Sequence, residues 1–293
     1  MSARRDIRCP VISRLLGALA ITWASSLPML AEPALAAGPA SCDASPVLSS
    51  IDTALERSAS HVQSGKPLTI VAMGSSSTLG VGASSPAMNY PNRLERDLKD
   101  RFPAIPIRVI NHGMSGQDVP EELTRLHRDV LAEHPDLVIW QVGTNAVLRR
   151  DDLSADEQLI ARGVALMKEH RIDVVLMDLQ YAPRVLARSA WAEMERVIAD
   201  IARGADVGLF RRFDIMREWD HTQRLAPAAI IGADGLHMTD ASYGCLADQL
   251  AEALAWNWWS RAKLAHSPNR NPHTLAGVEG SAGTGPARSA REP

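Results

Sequence analysis

Short apolar runs rich in branched residues recur along the chain with amphipathic stretches between them, and this alternation constrains the fold more than any other feature. The runs are "LTIVAM" (68–73), "IPIRVIN" (105–111), "DLVIWQV" (136–142) and "IDVVLMDL" (172–179), with "VGLFRRF" (207–213) as a fifth. Near-continuous apolar runs of this length belong to strands covered on both faces, as in parallel sheets. The stretches between them carry helical signals. Pro91 opens a segment over 90–102 in which Leu94, Leu98 and Phe102 recur at helical spacing. Residues 120–134 open with Pro and acids, which suit the positive end of a helix dipole. Ser154 with Glu157 three residues on predicts a capping box for a helix over 154–170, and Gly204 predicts the end of one over 189–204. Further helices are expected over about 46–63 and 240–259. Alternating units of this size make a parallel sheet with right-handed crossovers and helices on both faces, a three-layer α/β/α sandwich with five strands.

The ends of the 293-residue chain are unlike a domain. Arg4, Arg5 and Arg8 precede an apolar stretch from about Val11 to Leu30, and small residues follow with an A-x-A site at Ala34–Leu35–Ala36. That is the pattern of a secretory signal peptide over 1–36, which predicts a periplasmic or secreted protein. Ser25, Ser26 and Pro28 interrupt the apolar core and leave it short for a bilayer span, so no span is expected after cleavage. At the other end, Gly, Pro, Ala and polar residues dominate from Ser267, and residues 263–293 are expected to be a disordered tail. Between them lie an arm and helix over 37–66 and one domain over 67–262. A net charge of -3 with mixed signs argues against a nucleic-acid partner, and nothing in the sequence fixes an oligomeric state. Cys9 leaves with the signal. Cys42 and Cys245 remain as an even pair in an oxidising compartment, open to a disulfide or to a buried Cys245 with a mobile Cys42.

In open α/β sheets the functional site lies outside the carboxyl ends of the strands. Four polar clusters fall there or beside the last helix: "GSSST" (74–78), "NHGMSGQD" (111–118), "GTN" (143–145) and "DGLH" (234–237). Acyl transfer needs a hydroxyl nucleophile, a neutral His to take its proton and a carboxylate to fix that His, together with donors for an oxyanion. The clusters supply each type: serines after a glycine turn, Asp234 three residues before His237, a flexible glycine and an asparagine amide.

In this order the blocks resemble the SGNH hydrolases, also called GDSL-type esterases and lipases. The resemblance covers about 68–255 and implies a flavodoxin-like SGNH fold. It implies Ser76 as nucleophile, the positions of Thr78 and Gly80 setting it apart from Ser75 and Ser77. It further implies Asp234 and His237 as the remaining triad, and an oxyanion hole from the Ser76 N–H, Gly116 and Asn145. The family's first block usually reads Gly-Asp-Ser, and Ser75 stands at the Asp position here, so the support of that turn must differ.

His112, Gln180 and Tyr181 follow strand ends and are candidate substrate-lining residues. No cluster of His, Cys and acids has metal-ligand spacing, and no phosphate-cradling or dinucleotide motif occurs, so no metal or cofactor is implied. Trp256, Trp258 and Trp259 are expected to pack a helix end on the sheet. The resemblance implies a serine esterase acting through an acyl-enzyme on small-molecule or carbohydrate esters. Its export and the lack of a long apolar lid point to short acyl or acetyl groups, with envelope carbohydrate as a candidate alcohol. Three other readings share these residues: an acyltransferase, a lysophospholipase or thioesterase, and a catalytically inactive glycan-binding protein.

Overall fold

The computed structural model describes residues 41–149 and 153–265. The expected signal peptide and the tail from 266 onward lie outside the described residues. The apolar runs form strands β1 Leu68–Gly74, β2 Ile107–Gly113, β3 Leu137–Gln141, β4 Asp173–Met177 and β5 Gly208–Phe210. All pair in parallel, in the order β2-β1-β3-β4-β5. This is a doubly wound order whose direction reverses between β1 and β3, where the carboxyl ends open a crevice.

Helices α1 Glu56–Gln63, α2 Ser76–Leu79, α3 Tyr90–Arg101, α4 Val119–Asp129, α5 Thr144–Arg149, α6 Ser154–Glu169, α7 Pro183–Leu186, α8 Trp191–Ala205, α9 Arg212–His221, α10 Pro227–Ile230 and α11 Asp240–Ala265 complete the chain order. Strand residues alternate between two cores. Ile70, Ala72 and Ile139 pack with Leu94, Trp219 and Leu250 from α3, α9 and α11. Val71, Met73 and Trp140 pack with Leu126, Ile160 and Met194 from α4, α6 and α8. Both faces of β1, β3 and β4 are thus buried, which is why their runs carry no polar alternation, whereas edge strand β2 exposes Arg108.

Several boundaries differ from the sequence reading, each for a local reason. β2 starts at Ile107 rather than 105, because Pro106 has no N–H to give the ladder, and it runs on to include His112 and Gly113. The fifth strand stops at Phe210, since Arg212 already opens α9. The helix expected over 46–63 is helical only from Glu56. There the Asp173 carboxylate accepts the N–H groups of Arg57 (3.3 Å) and Ser58 (2.8 Å), setting the start from outside the segment. α6 has buried Leu153 in the N-cap place with no side-chain cap, and Ser154 is its first helical residue rather than its cap. Such a box does form at α4, between Asp118 and Glu121. α8 continues past Gly204, and Asp206 makes the left-handed turn. α11 extends to Ala265, beyond the domain end expected at 262.

On α11, Trp258 is buried and donates its indole N–H to Ser58 Oγ at 2.9 Å, whereas Trp256 and Trp259 are exposed. Trp258 therefore packs as expected, and Trp259 stacks on Phe102 with ring centroids 6.3 Å apart while remaining half exposed. Cys42 and Cys245 are joined, Cα to Cα 4.8 Å, tying the N-terminal arm to α11. Among the described residues no helix is long and apolar enough to cross a membrane.

Gly113 ends β2 directly against α2. A Cβ there would meet the Leu79 nitrogen and lie 2.6 Å from both Leu79 Cα and Thr78 C, all backbone atoms. Gly113→Ala must therefore displace the helix that carries Ser76. We expect a loss of about 1–3 kcal/mol in stability, read by thermal unfolding. Values like those of the native chain would contradict the contact.

Candidate active site

Ser76 opens α2 immediately after β1, so the helix lifts its hydroxyl to the crevice at the sheet's carboxyl edge. Asp234 and His237 arrive on one tight loop from the far end of the chain. An antiparallel bridge between Ile231 and Met238 closes the loop, and Gly232 N–H donates to the His237 carbonyl at 2.8 Å. Gly235 turns it at φ 68, a conformation that favours glycine, and its N–H reaches the Gly232 carbonyl at 3.0 Å. The Asp234 carboxylate accepts from the N–H groups of Leu236 (3.0 Å) and His237 (2.9 Å). Its other oxygen lies 2.5 Å from His237 Nδ1. His237 Nε2 lies 2.9 Å from Ser76 Oγ. With the Nδ1 proton directed at Asp234, Nε2 is the acceptor for the serine hydroxyl. The structure thus brings Ser76, His237 and Asp234 into one hydrogen-bonded line. Burial would raise Asp234, but the hydrogen bonds from the imidazole and the two N–H groups outweigh it and hold the carboxyl down at about 2.

The loop after α2 backs this arrangement. Tyr243 Oη donates to the Val81 carbonyl (2.8 Å), and Ser84 N–H donates to Asp240 (2.8 Å) at the start of α11. Gly116, exposed at φ 77 on the loop after β2, and the half-buried Asn145 in the first turn of α5 are neighbours, linked where Asn145 Nδ2 donates to the Gln117 carbonyl at 2.6 Å. Arg149 also donates to the Gly116 carbonyl. Among the described residues, the N–H groups of Ser76 and Gly116 have no protein acceptor.

Two organising residues were missed by the sequence reading. Gln141, at the end of β3 and almost fully buried, directs its Oε1 into the Ser75–Ser77 turn. It accepts from Ser75 N–H (3.1 Å), Ser75 Oγ (2.9 Å) and Ser77 Oγ (3.0 Å). Ser75, where the family pattern has an acid, is therefore a donor to a neutral amide, and Ser77 shares that role. Arg125 of α4 is buried and gathers the strand ends. It donates to the Gly74 carbonyl (3.0 Å), the His112 carbonyl (2.8 Å) and Gln117 Oε1 (2.5 Å), while Asp129 balances its charge at 2.9 Å. A polar residue closing an apolar strand and an Arg at i,i+4 with Asp were the only signals for these two.

The expected lining residues separate. Gln180 is 1 % exposed and bridges Thr144 Oγ1 (3.3 Å) to the Leu236 carbonyl (3.2 Å), so it positions loops rather than lining a substrate site. The His112 ring faces Glu133 (3.4 Å) on the α4 side, and its Nε2 makes no hydrogen bond to Ser76 or His237. Tyr181 lines a cavity of about 390 Å³ behind the Asp234 loop, with Leu186, Ile230 and Gly235.

Burial pushes Glu122 up to about 7 against the opposing hydrogen bond from Trp140 Nε1. Burial likewise pushes Asp178 up to about 7 and Glu195 well above the usual carboxylate range, so this hydrogen-bonded pair holds a proton. The unfolded chain sheds these protons near 3.8 for Asp and 4.5 for Glu. The folded chain binds more protons across the interval, so raising pH from about 4 to about 7 favours unfolding. Asp234 and Asp129, held near 2, act below that interval. Tm should fall across it, less steeply in Glu122→Gln; calorimetry at a series of pH values checks this, and a Tm that rises through the window contradicts it.

Comparison with known proteins gives the frame. A family model described as the non-GDSL lipase-like family matches residues 41–257. An acetylxylan esterase of Geobacillus stearothermophilus is 42% identical over 52 residues, 18% of this chain and 24% of that one, so the match spans about a quarter of the esterase. Among solved structures, the lipase/acylhydrolase from Enterococcus faecalis superposes with TM-score 0.54 at 22% identity, covering 64% of this chain and 95% of that one. A two-domain esterase active on acetylated mannans superposes with TM-score 0.60 at 21% identity, covering 72% and 56%. At these identities the superpositions speak for the fold, a five-stranded α/β sandwich. The family model spans most of the chain, and its description agrees with the absence of Gly-Asp-Ser around Ser76. The chain belongs to the non-GDSL lipase-like family, within the SGNH hydrolases.

Proposed function

We propose that this protein is an exported serine carboxylesterase that removes short acyl groups, acetyl foremost, from carbohydrate or small-molecule esters. The observation that carries the reading is the line from Ser76 Oγ through His237 to Asp234, at 2.9 and 2.5 Å. His237 takes the hydroxyl proton as Oγ attacks the ester carbonyl, and Asp234 supports the imidazolium that forms. The tetrahedral oxyanion is met by the N–H groups of Ser76 and Gly116 and by the second amide hydrogen of Asn145, donors already oriented in the ground state. Collapse expels the alcohol, which takes the proton from His237, and leaves the acyl group on Ser76. Water then attacks with His237 again as base, releasing the carboxylic acid and restoring the hydroxyl.

Acetyl specificity is supported by the acetylxylan esterase and by the mannan-acetyl esterase among the similar proteins. Export is supported by the N-terminal sequence pattern and by the joined Cys42 and Cys245, a bond that persists in oxidising compartments. One observation favours longer acyl chains as a second reading: Leu79 and Met114, flanking the nucleophile turn, are exposed apolar residues. A series of p-nitrophenyl acetate, butyrate and octanoate, with acetate release from acetylated xylan, tests both. The first reading expects the highest kcat/KM on acetate, and the second expects it on octanoate. Absence of hydrolysis of any ester by folded protein would remove both.

A further inference from the structure

Arg212 is fully buried beneath the nucleophile turn, in a position the sequence reading assigned to a strand. Its Nη1 donates to Ser77 Oγ at 3.0 Å, and its Nη2 donates to the Asp178 carbonyl. Its Nε has no hydrogen-bond partner among the described residues. Burying a guanidinium is costly unless opposite charge lies close, and the Asp178–Glu195 carboxyl pair supplies that charge. A cation kept there with one nitrogen unpaired is poorly explained by packing alone.

What the cation does follows from the hydrogens available. A serine hydroxyl has one proton to give. Ser77 gives its proton to Gln141 Oε1 at 3.0 Å, so its oxygen must accept from elsewhere, and Arg212 Nη1 is that donor. Arginine has donors only and stays charged, so the order Arg212 to Ser77 to Gln141 cannot run backwards. Gln141 is then met from the other side by Ser75 through both its N–H and its hydroxyl. The two residues flanking Ser76 are thereby pinned to one buried oxygen, which fixes the backbone that aims both the Ser76 hydroxyl and its N–H.

We propose that Arg212, acting through Ser77 and Gln141, is a positioning residue for the Ser76 turn, supplying the support that an acid at position 75 would otherwise give. The inference rests on Ser76 being the nucleophile. The relay predicts that breaking it slows acylation without weakening substrate binding, because it holds groups used most fully in the transition state.

The test uses the whole mature chain and p-nitrophenyl acetate, with Tm recorded for every variant. Ser77→Ala and Gln141→Met should lower kcat by roughly 10- to 100-fold with KM changed less than about twofold. Gln141→Glu keeps an acceptor oxygen and should restore kcat to within about threefold of the native value. Arg212→Lys should lower kcat comparably, and Ser77→Ala combined with it should cost no more than the worse single change, since both cut one chain. If Arg212→Lys does not fold, the Ser77 and Gln141 variants decide. Native kcat in Ser77→Ala and Gln141→Met, a loss confined to KM or Tm, no restoration by Gln141→Glu, or a double variant falling by the product of the singles would each overturn the proposal. A native chain that hydrolyses no ester and does not react with a fluorophosphonate would instead overturn the assignment of Ser76, and this inference with it.

Discussion

Replacing Ser76 or His237 with alanine should lower kcat toward esters by roughly 10⁴- to 10⁶-fold, with little change in Tm. A serine hydroxyl is a weak nucleophile alone, and in the proposed mechanism the imidazole 2.9 Å from Ser76 Oγ is its base. Losing either partner removes the same proton transfer, so Ser76→Ala combined with His237→Ala should be no worse than either single change. Asp234→Asn should cost less than loss of the base, about 10⁴-fold, by holding the imidazole in the wrong tautomer. Its side chain is 45% exposed, so water partly screens its charge. Steady-state kinetics on p-nitrophenyl acetate would check the set. Activity in His237→Ala within tenfold of native would place the base elsewhere, as would a double variant much worse than the singles.

The second large effect concerns the arm. Cys42 and Cys245 close a loop of 203 residues, nearly the whole described fold. Chain entropy puts the stabilisation from such a loop at about 5 kcal/mol as an upper figure, with removal of native bonds commonly costing about 2–5 kcal/mol. For a domain of this size that is a fall in Tm of about 5–15 °C. The attachment is reinforced by the Trp219 indole N–H, which donates to the Cys42 carbonyl at 3.1 Å, and by Ile51 and Leu55 buried in the core beside α11. Cys42→Ser with Cys245→Ser, or the native chain under reductant, should show the drop in thermal unfolding while kcat at low temperature stays near native. Equal Tm with and without reductant would contradict it, as would free thiols at both positions in non-reducing peptide maps.

The sheet was legible because the inner strands are buried on both faces and their runs are mostly apolar, so length and spacing were enough to place β1 to β4. The blocks at the strand ends were legible because turn glycines and reactive residues fall together there. Much of the rest depends on partners distant in sequence. The start of α1 is set by Asp173, and nothing within 46–63 announces it. Gln141, Arg125 and Arg212 gain their roles only when strand ends and helices from separate segments meet. Two charged side chains and an amide look like surface or edge residues until the fold buries them. Gln180 shows the opposite failure: its place after β4 suggested substrate, but two loops close over it. Ser75 was legible as a departure from the family pattern, while its answer, a shared amide oxygen on β3, was not.

The proposed chemistry stands on Ser76 as the activated nucleophile. The most direct measurement is labelling of the folded native chain with a fluorophosphonate, followed by peptide mapping, with His237→Ala alongside. One modified serine, Ser76, is expected in the native chain and none in His237→Ala. A label on Ser75 or Ser77, equal labelling without His237, or no labelled serine in well-folded protein would contradict it.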